Sequence, residues 1–349
     1  MRIVVTGATG NVGTSLLEGL AGEPAVDAVV GLARRRPEIA MPKVEWVAAD
    51  VVHADLAEIF RGADCVVHLA WLIQPGHDQR VLQAVNVEGS ARVFHAVGAA
   101  GVPALVYASS VGAYSPGPKD RRVDESWPTE GIASAYYARE KAAVERLLDR
   151  FEHESPATRV VRLRPALIFK RDAAAEIRRF FAGPLLPSPL VRRSLIPIVP
   201  KADRLCFQAV HSLDAGDAFR RAAVGDAEGA FNVAAEPVLD AEALGKALGA
   251  RPIPVHAAAL RALADVSWRL RLQPTAPGWI DLALAVPLMD STRARTELGW
   301  SPRHGADEAL VELLDGMRTG ADYGTPPLER RAGGPLRIGE LLTGVGGRQ

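Results

Sequence analysis

Two groups of residues in this chain carry chemistry by their type and spacing. Tyr137 and Lys141 stand four apart in the run Tyr137-Ala138-Arg139-Glu140-Lys141, so on a helix they share a face. An isolated tyrosine titrates near ~10, too high for easy proton exchange at neutral pH. An ammonium within ~4–6 Å favours the phenolate and lowers that value by ~1–3 units. The pair is therefore a candidate proton donor and acceptor. Tyr136 has Glu140 at the same spacing and lacks that help. A surface tyrosine and lysine on an ordinary amphipathic helix is the bland alternative. Upstream, Ala108-Ser109-Ser110 closes an apolar run, and a serine at such a strand end can hold a substrate oxygen beside the phenol.

The second group is Thr6-Gly7-Ala8-Thr9-Gly10-Asn11-Val12-Gly13, which follows the apolar run Ile3-Val4-Val5. Gly7 permits a tight turn, Gly10 lets backbone approach a pyrophosphate, and Gly13 lets a helix pack on the strand. The helix start supplies N–H donors for phosphates. Thr9, Asn11 and Val12 belong to the same turn. The next strand ends in Ala33 and runs into Arg34-Arg35-Arg36, with no acid before Glu38. Guanidinium groups welcome a 2′-phosphate, whereas the ribose hydroxyls of NAD usually meet a carboxylate there. The reading favours NADP, with Arg34 and Arg35 as its contacts. A solvated basic loop, and with it NAD, stays open. Asp50 is a candidate for the adenine amino group or for a turn ahead of the next helix.

These residues need elements to hold them. Near-continuous apolar runs at Ile3–Thr6, Ala28–Ala33, Val44–Ala48, Cys65–Ala70, Ala104–Ser109 and Arg159–Leu163 read as parallel strands buried on both faces. Between them, Asn11–Ala21, Asp55–Arg61, Gln79–Ala100 and Ser134–Glu152 have helical spacing. The alternation predicts an α/β, Rossmann-like, doubly wound parallel sheet over residues 1–165. Residues 166–318 are read mainly as a smaller substrate domain. The strands Phe207–His211 and Phe231–Ala234 are expected to return to the main sheet. Proline-rich runs at Gly183–Pro189 and Ile196–Pro200 predict loops able to fold over a site. Residues 319–349 read as a mobile tail.

Composition sets the limits. Lys+Arg and Asp+Glu both number 41, which gives no bias toward nucleic acid or an anionic membrane. Cys65 and Cys206 lie in apolar runs and read as free thiols. No secretory leader or spanning stretch is seen, so a cytoplasmic protein is expected. The eight histidines have no metal-ligand spacing, and no metal is expected.

The ordered motifs resemble the extended short-chain dehydrogenase/reductase family, the NAD(P)-dependent epimerase/dehydratase group. The resemblance rests on Thr6–Gly13, Asp50-Val51, His68-Leu69-Ala70, Asn86-Val87-Glu88-Gly89-Ser90, Ser109–Tyr114, Tyr137…Lys141, Leu163-Arg164-Pro165, Val210–Asp214 and Leu298-Gly299-Trp300-Ser301-Pro302. It implies Tyr137 as acid/base, Lys141 as the holder of the nicotinamide ribose, and Ser110, four before Tyr114, as the catalytic serine, with Ser109 as the fallback. Asp50, Val51, Leu69, Ala70 and Pro165 are implied cofactor contacts, and Asn86 a residue that places a helix. A homodimer through the Asn86 and Tyr137 helices is also implied.

The departures from the family bear on the substrate. Val111-Gly112 replaces the Asp-Glu of the 4,6-dehydratases. Ala166 and its successors lack the asparagine of sugar-nucleotide epimerases. Phe207-Gln208-Ala209 stands where an arginine would hold a nucleotide diphosphate. The resulting expectation is an NADP-preferring oxidoreductase acting on a secondary alcohol or ketone, with net reduction or dehydrogenation favoured. A cofactor-retaining sugar-nucleotide epimerase and a non-catalytic NADP-binding sensor are the alternatives.

Overall fold

The computed structural model describes residues 1–73, 79–181, 196–273 and 275–329. Five strands follow one another through the first part: β1 (Arg2–Thr6), β2 (Ala28–Ala33), β3 (Val44–Ala48), β4 (Cys65–His68) and β5 (Ala104–Ala108). With Arg159–Pro165 and Gly229–Val233 they form one seven-stranded sheet. All its pairings are parallel, in the order Gly229–Val233, Arg159–Pro165, β5, β4, β1, β2, β3. The order reverses between β1 and β4, which makes their carboxyl ends the place where a crevice opens. This is a Rossmann-like, doubly wound α/β sheet.

Strand periodicity divides the core. Ile3, Val5, Cys65 and Val67 pack with Leu16, Leu17, Phe219 and Trp300 on one face. Val4, Val66, Leu105 and Tyr107 pack with Val93, Phe94, Leu148 and Phe151 on the other. Alternate side chains thus meet helices on opposite sides, as two-sided burial demands. Helix α1 (Asn11–Ala21) lies close against the Ser212–Val224 helix. A Cβ on Gly216 would come within 2.8 Å of the Ser15 carbonyl carbon, so only glycine allows that approach. Trp300, from the Leu298–Pro302 motif, is fully buried and donates its indole N–H to the Asp214 carbonyl at 2.8 Å.

Several expectations need correction. The Phe207–His211 strand does not join the main sheet; it pairs with Leu167–Phe169 and Ala235–Leu239 in a separate three-stranded sheet. Only the Gly229–Val233 strand returns. Part of the second proline-rich run, Ile198–Lys201, is a short strand paired with Arg251–Pro254, because a two-stranded pair leaves edges where proline is tolerated. The Gly183–Pro189 run lies outside the described residues. The expected helix Gln79–Ala100 is interrupted by a π-helical turn at Ala84–Glu88. Nor is the start of the expected mobile tail loose. Thr325 and Leu328 are buried, and the Thr325 hydroxyl donates to the Thr9 carbonyl at 2.8 Å. Residues 330–349 lie outside the described part.

The Tyr136–Glu154 helix is fastened to the sheet by a buried ion cluster. Glu145 accepts hydrogen bonds from Arg164, Arg162 and the Ser109 hydroxyl. Burial pushes its carboxyl up, but the two guanidiniums and the hydroxyl outweigh it and hold the group at about 2. A depressed carboxylate stabilises the fold above its unfolded value, near ~4.5, and the contribution is lost as pH falls toward the folded value. We therefore expect the melting temperature to fall between about pH 4.5 and 2. Glu145→Gln should cost roughly 3–5 kcal/mol at pH 7 and flatten that part of the acid dependence; calorimetry across the window checks both.

Candidate active site

Gly7 turns the chain at the end of β1. Its φ is +70°, and a Cβ there would lie 2.6 Å from the Ala70 nitrogen. Left-handed backbone and close approach both demand glycine. The turn after β1 thus touches the segment after β4, which is the switch point of the sheet. Gly13 packs inward: a Cβ would meet the Gly7 carbonyl oxygen at 2.4 Å. Gly10 caps α1 without a side-chain hydrogen bond, and the first turn holds no acid. The helix start therefore keeps its partial positive charge and open N–H groups.

The cleft beside this turn is lined by Gly7, Thr9, Gly10, Arg34, Arg35, Asp50, Val51, Leu69, Ala70 and Trp71. Arg34 and Arg35 are exposed. Among the described residues, neither guanidinium takes part in an ion pair. A bare helix start for a diphosphate and two guanidiniums at the end of β2 fit a dinucleotide phosphate. Asp50 also closes a turn, accepting the Val52 N–H at 2.9 Å on one carboxylate oxygen. Asn11, Val12, Gly13, Pro165, Tyr137 and Lys141 do not line this cleft. Asn11 gives its amide to the Ile168 carbonyl at 3.2 Å, and Pro165 is buried in its strand.

The sequence reading missed part of the cleft. Glu176, Arg179 and Phe180 from the Ala174–Phe181 helix, with Pro326 and Pro327, form its outer wall. Arg179 donates to the carbonyls of Pro327 and Glu329, tying that helix to the C-terminal strap. Burial pushes the Glu176 carboxyl up to about 7, against the pull of Arg179 and Lys170. The only signal in the sequence was Thr325-Pro326-Pro327, rigid and small, within a segment read as a tail.

At the end of β5 the two serines part ways. Ser109 spends its hydroxyl on Glu145 at 2.5 Å. Ser110 accepts the Gly112 N–H at 3.0 Å and lies on the Tyr137 side. A Cβ on Gly112 would sit 2.8 Å from the Tyr137 ring and 3.4 Å from the Ser110 hydroxyl. The absence of a side chain at 112 thus lets phenol and serine meet. Burial pushes the Tyr137 phenol up to about 12, opposed by its hydrogen bond with Ser110. That differs from the expected lowering by Lys141. The lysine ammonium is 6.0 Å from the Tyr137 ring centre, donates to the Ala108 carbonyl at 2.7 Å and rests against Trp71. Burial also drives Lys141 well below its ordinary value, with Glu145 and Glu140 opposing.

His68 and Asn86 are scaffolding. His68 bridges Thr6 at 2.7 Å and Ser90 at 2.9 Å, and burial with the Lys141 charge lowers it to about 3, so it is neutral. Asn86, in the π turn, takes the Leu72 N–H at 2.8 Å, returns a bond to the Leu72 carbonyl at 3.0 Å and donates to Glu140 at 2.8 Å. That triple grip accounts for the interruption of regular helix. Gln208 is equally committed: its amide exchanges two hydrogen bonds with the Met289 backbone, at 2.7 and 3.0 Å.

A model of the NAD dependent epimerase/dehydratase family matches residues 3–178. The chain belongs to that family. An uncharacterised Mycobacterium tuberculosis protein is 29% identical over 321 residues, covering 91% of this chain but 30% of that one. The chain thus spans under a third of that relative's length. L-arabinose 1-dehydrogenase (NAD(P)+) from Haloferax volcanii is 37% identical over 110 residues, 31% of this chain and 41% of its own. Among solved structures, UDP-glucose 4-epimerase from Thermus thermophilus in complex with NAD superposes with a TM-score of 0.67 at 22% identity, over 91% of this chain and 99% of that one. The dTDP-glucose 4,6-dehydratase of Streptomyces venezuelae gives 0.67 at 21%, over 91% and 97%. These likenesses show the fold. No described helix is long and apolar enough to cross a membrane.

Gly112→Ala tests the serine–tyrosine geometry of this family member. The new methyl must displace the Tyr137 ring, so turnover should fall about 10- to 100-fold. Gly112 does not line the cleft beside the glycine turn, so NADPH affinity should stay nearly constant; titration and steady-state kinetics separate the two.

Proposed function

We propose that the chain is an NADP-preferring oxidoreductase that interconverts a secondary alcohol and a ketone, working as a net reductase or dehydrogenase. The observation that carries this is the meeting of Ser110 and Tyr137 over Gly112, one residue's reach from the dinucleotide cleft through Trp71. When bound, the dinucleotide supplies hydride to the carbonyl carbon or accepts it from the carbinol. Ser110 orients the substrate oxygen. Tyr137, protonated at neutral pH because its value lies at about 12, gives that oxygen its proton in the reducing direction and takes it back in the other. Lys141, one residue past Glu140 in the Asn86 grip, is assigned the nicotinamide ribose, the role that the family resemblance implies. The three-stranded sheet and its helices are proposed as the substrate side, and the Asn86 and Tyr137 helices as a homodimer face.

Two features support a substrate other than a sugar nucleotide. Gln208 has spent its amide within the fold, and the run Ala166-Leu167-Ile168-Phe169 after Arg164-Pro165 holds no asparagine. A cofactor-retaining epimerase is the second reading. It is favoured by the likeness to UDP-glucose 4-epimerase and by the strap that walls the cleft.

Tyr137→Phe should keep NADPH binding and lower turnover by about 10²–10⁴-fold; unchanged turnover removes the tyrosine from the mechanism. NADPH oxidation at 340 nm with a panel of ketones distinguishes reductase from sensor, and conversion of a sugar nucleotide without net NADPH loss identifies the epimerase. For the cofactor, Arg34→Ala with Arg35→Ala should weaken NADPH by about tenfold or more and leave NADH unchanged. Equal losses for both would remove the NADP preference.

A further inference from the structure

Trp71 stands at the junction of the cleft and the catalytic helix, and no motif accounts for it. Its ring centre is 3.4 Å from the Lys141 ammonium nitrogen, a contact at which the π face attracts a cation. The ring meets Tyr137 edge-on at 6.0 Å. Beside it in the chain, Leu72 is clamped by Asn86 through both backbone groups. Trp71 also lines the cleft beside Gly7 and Ala70. Its indole N–H is buried without a hydrogen-bond partner among the described residues. An orphaned buried donor is costly and calls for a partner, and the cleft is where one can enter.

We propose that Trp71 is a positioning residue: its ring holds the Lys141 ammonium in place, and its indole N–H donates to an oxygen of the bound dinucleotide. The inference rests on the dinucleotide reading above. An ammonium has three N–H donors. One goes to Ala108 and one faces the indole, which leaves the third for the ribose. Other groups face the lysine too. Glu140 and Glu145 come from its own helix, the Tyr107 ring from β5 at 5.2 Å, the Tyr137 ring at 6.0 Å, and neutral His68 from β4. The two carboxylates favour the charged lysine and burial disfavours it. The indole adds to the carboxylates' side by replacing lost water. Removing the ring should therefore let Lys141 lose its proton at lower pH.

The test is calorimetric titration of the full chain with NADPH from pH 6 to 10, on wild type, Trp71→Phe and Trp71→Leu, with circular dichroism to confirm folding. Trp71→Phe keeps a π face and removes the N–H. We expect weaker NADPH binding by about fivefold or more, with an unchanged pH midpoint. Trp71→Leu removes both; binding should weaken further and the midpoint should move down by about one pH unit. Wild-type affinity in both variants, with the same midpoint, overturns the proposal while leaving the dinucleotide reading intact. NADPH binding untouched in Trp71→Phe, with only the KM for a carbonyl substrate raised, overturns the assignment of the N–H to the dinucleotide. Failure of wild type to bind either NADPH or NADH overturns the proposal and the cofactor reading together.

Discussion

Glu145 holds the site together. A single carboxylate, sealed in the core, gathers two arginines from the Arg159–Pro165 strand and one serine from the end of β5. The helix that carries it also carries Tyr137 and Lys141, so the strand ends and this residue pair share one anchor. The buried charge is tolerated because its oxygens are met by matched donors. Its geometric effect is selection: with Ser109 drawn inward, Ser110 is the hydroxyl left on the side of the phenol. A structural ion cluster thereby decides which serine meets the tyrosine.

The parts of this arrangement that obey local rules were legible in the amino-acid sequence. The strands Ala28–Ala33 and Val44–Ala48 and the helix Asn11–Ala21 lie where their apolar spacing puts them, because two-sided burial leaves a strong periodic signal. The glycine turn was equally plain, since Gly7 and Gly13 answer to backbone geometry and contact that no other residue permits. What escaped depends on contacts distant in the chain. The path of Phe207–His211 is set by partners at 167–169 and 235–239. The π turn at Asn86 comes from its hold on Leu72, and the order at Thr325 from a carbonyl at residue 9. Charge spacing misled in one place. Tyr137 and Lys141 share a helix face as expected, yet the ammonium is drawn to Ala108 and Trp71, and burial dominates the phenol.

Apolar rings flank the polar groups of the site on one side. Trp71, Leu72 and Ile73 line the cleft next to the glycine turn, and Trp279 packs on Tyr137 at 5.1 Å. Such walls strengthen the few hydrogen bonds they surround. Gln208 is turned to internal use, with both ends of its amide committed to the Met289 backbone.

The bond between Thr325 and Thr9 joins positions 316 residues apart. A contact so distant along the chain costs loop-closure entropy, and the sheet and helices between its ends must fold to bring them together. The outer wall of the cleft therefore depends on everything that lies between residues 9 and 325, whereas the sheet does not depend on the wall. Local opening of the strap would uncover the cleft and leave the strands beneath it paired.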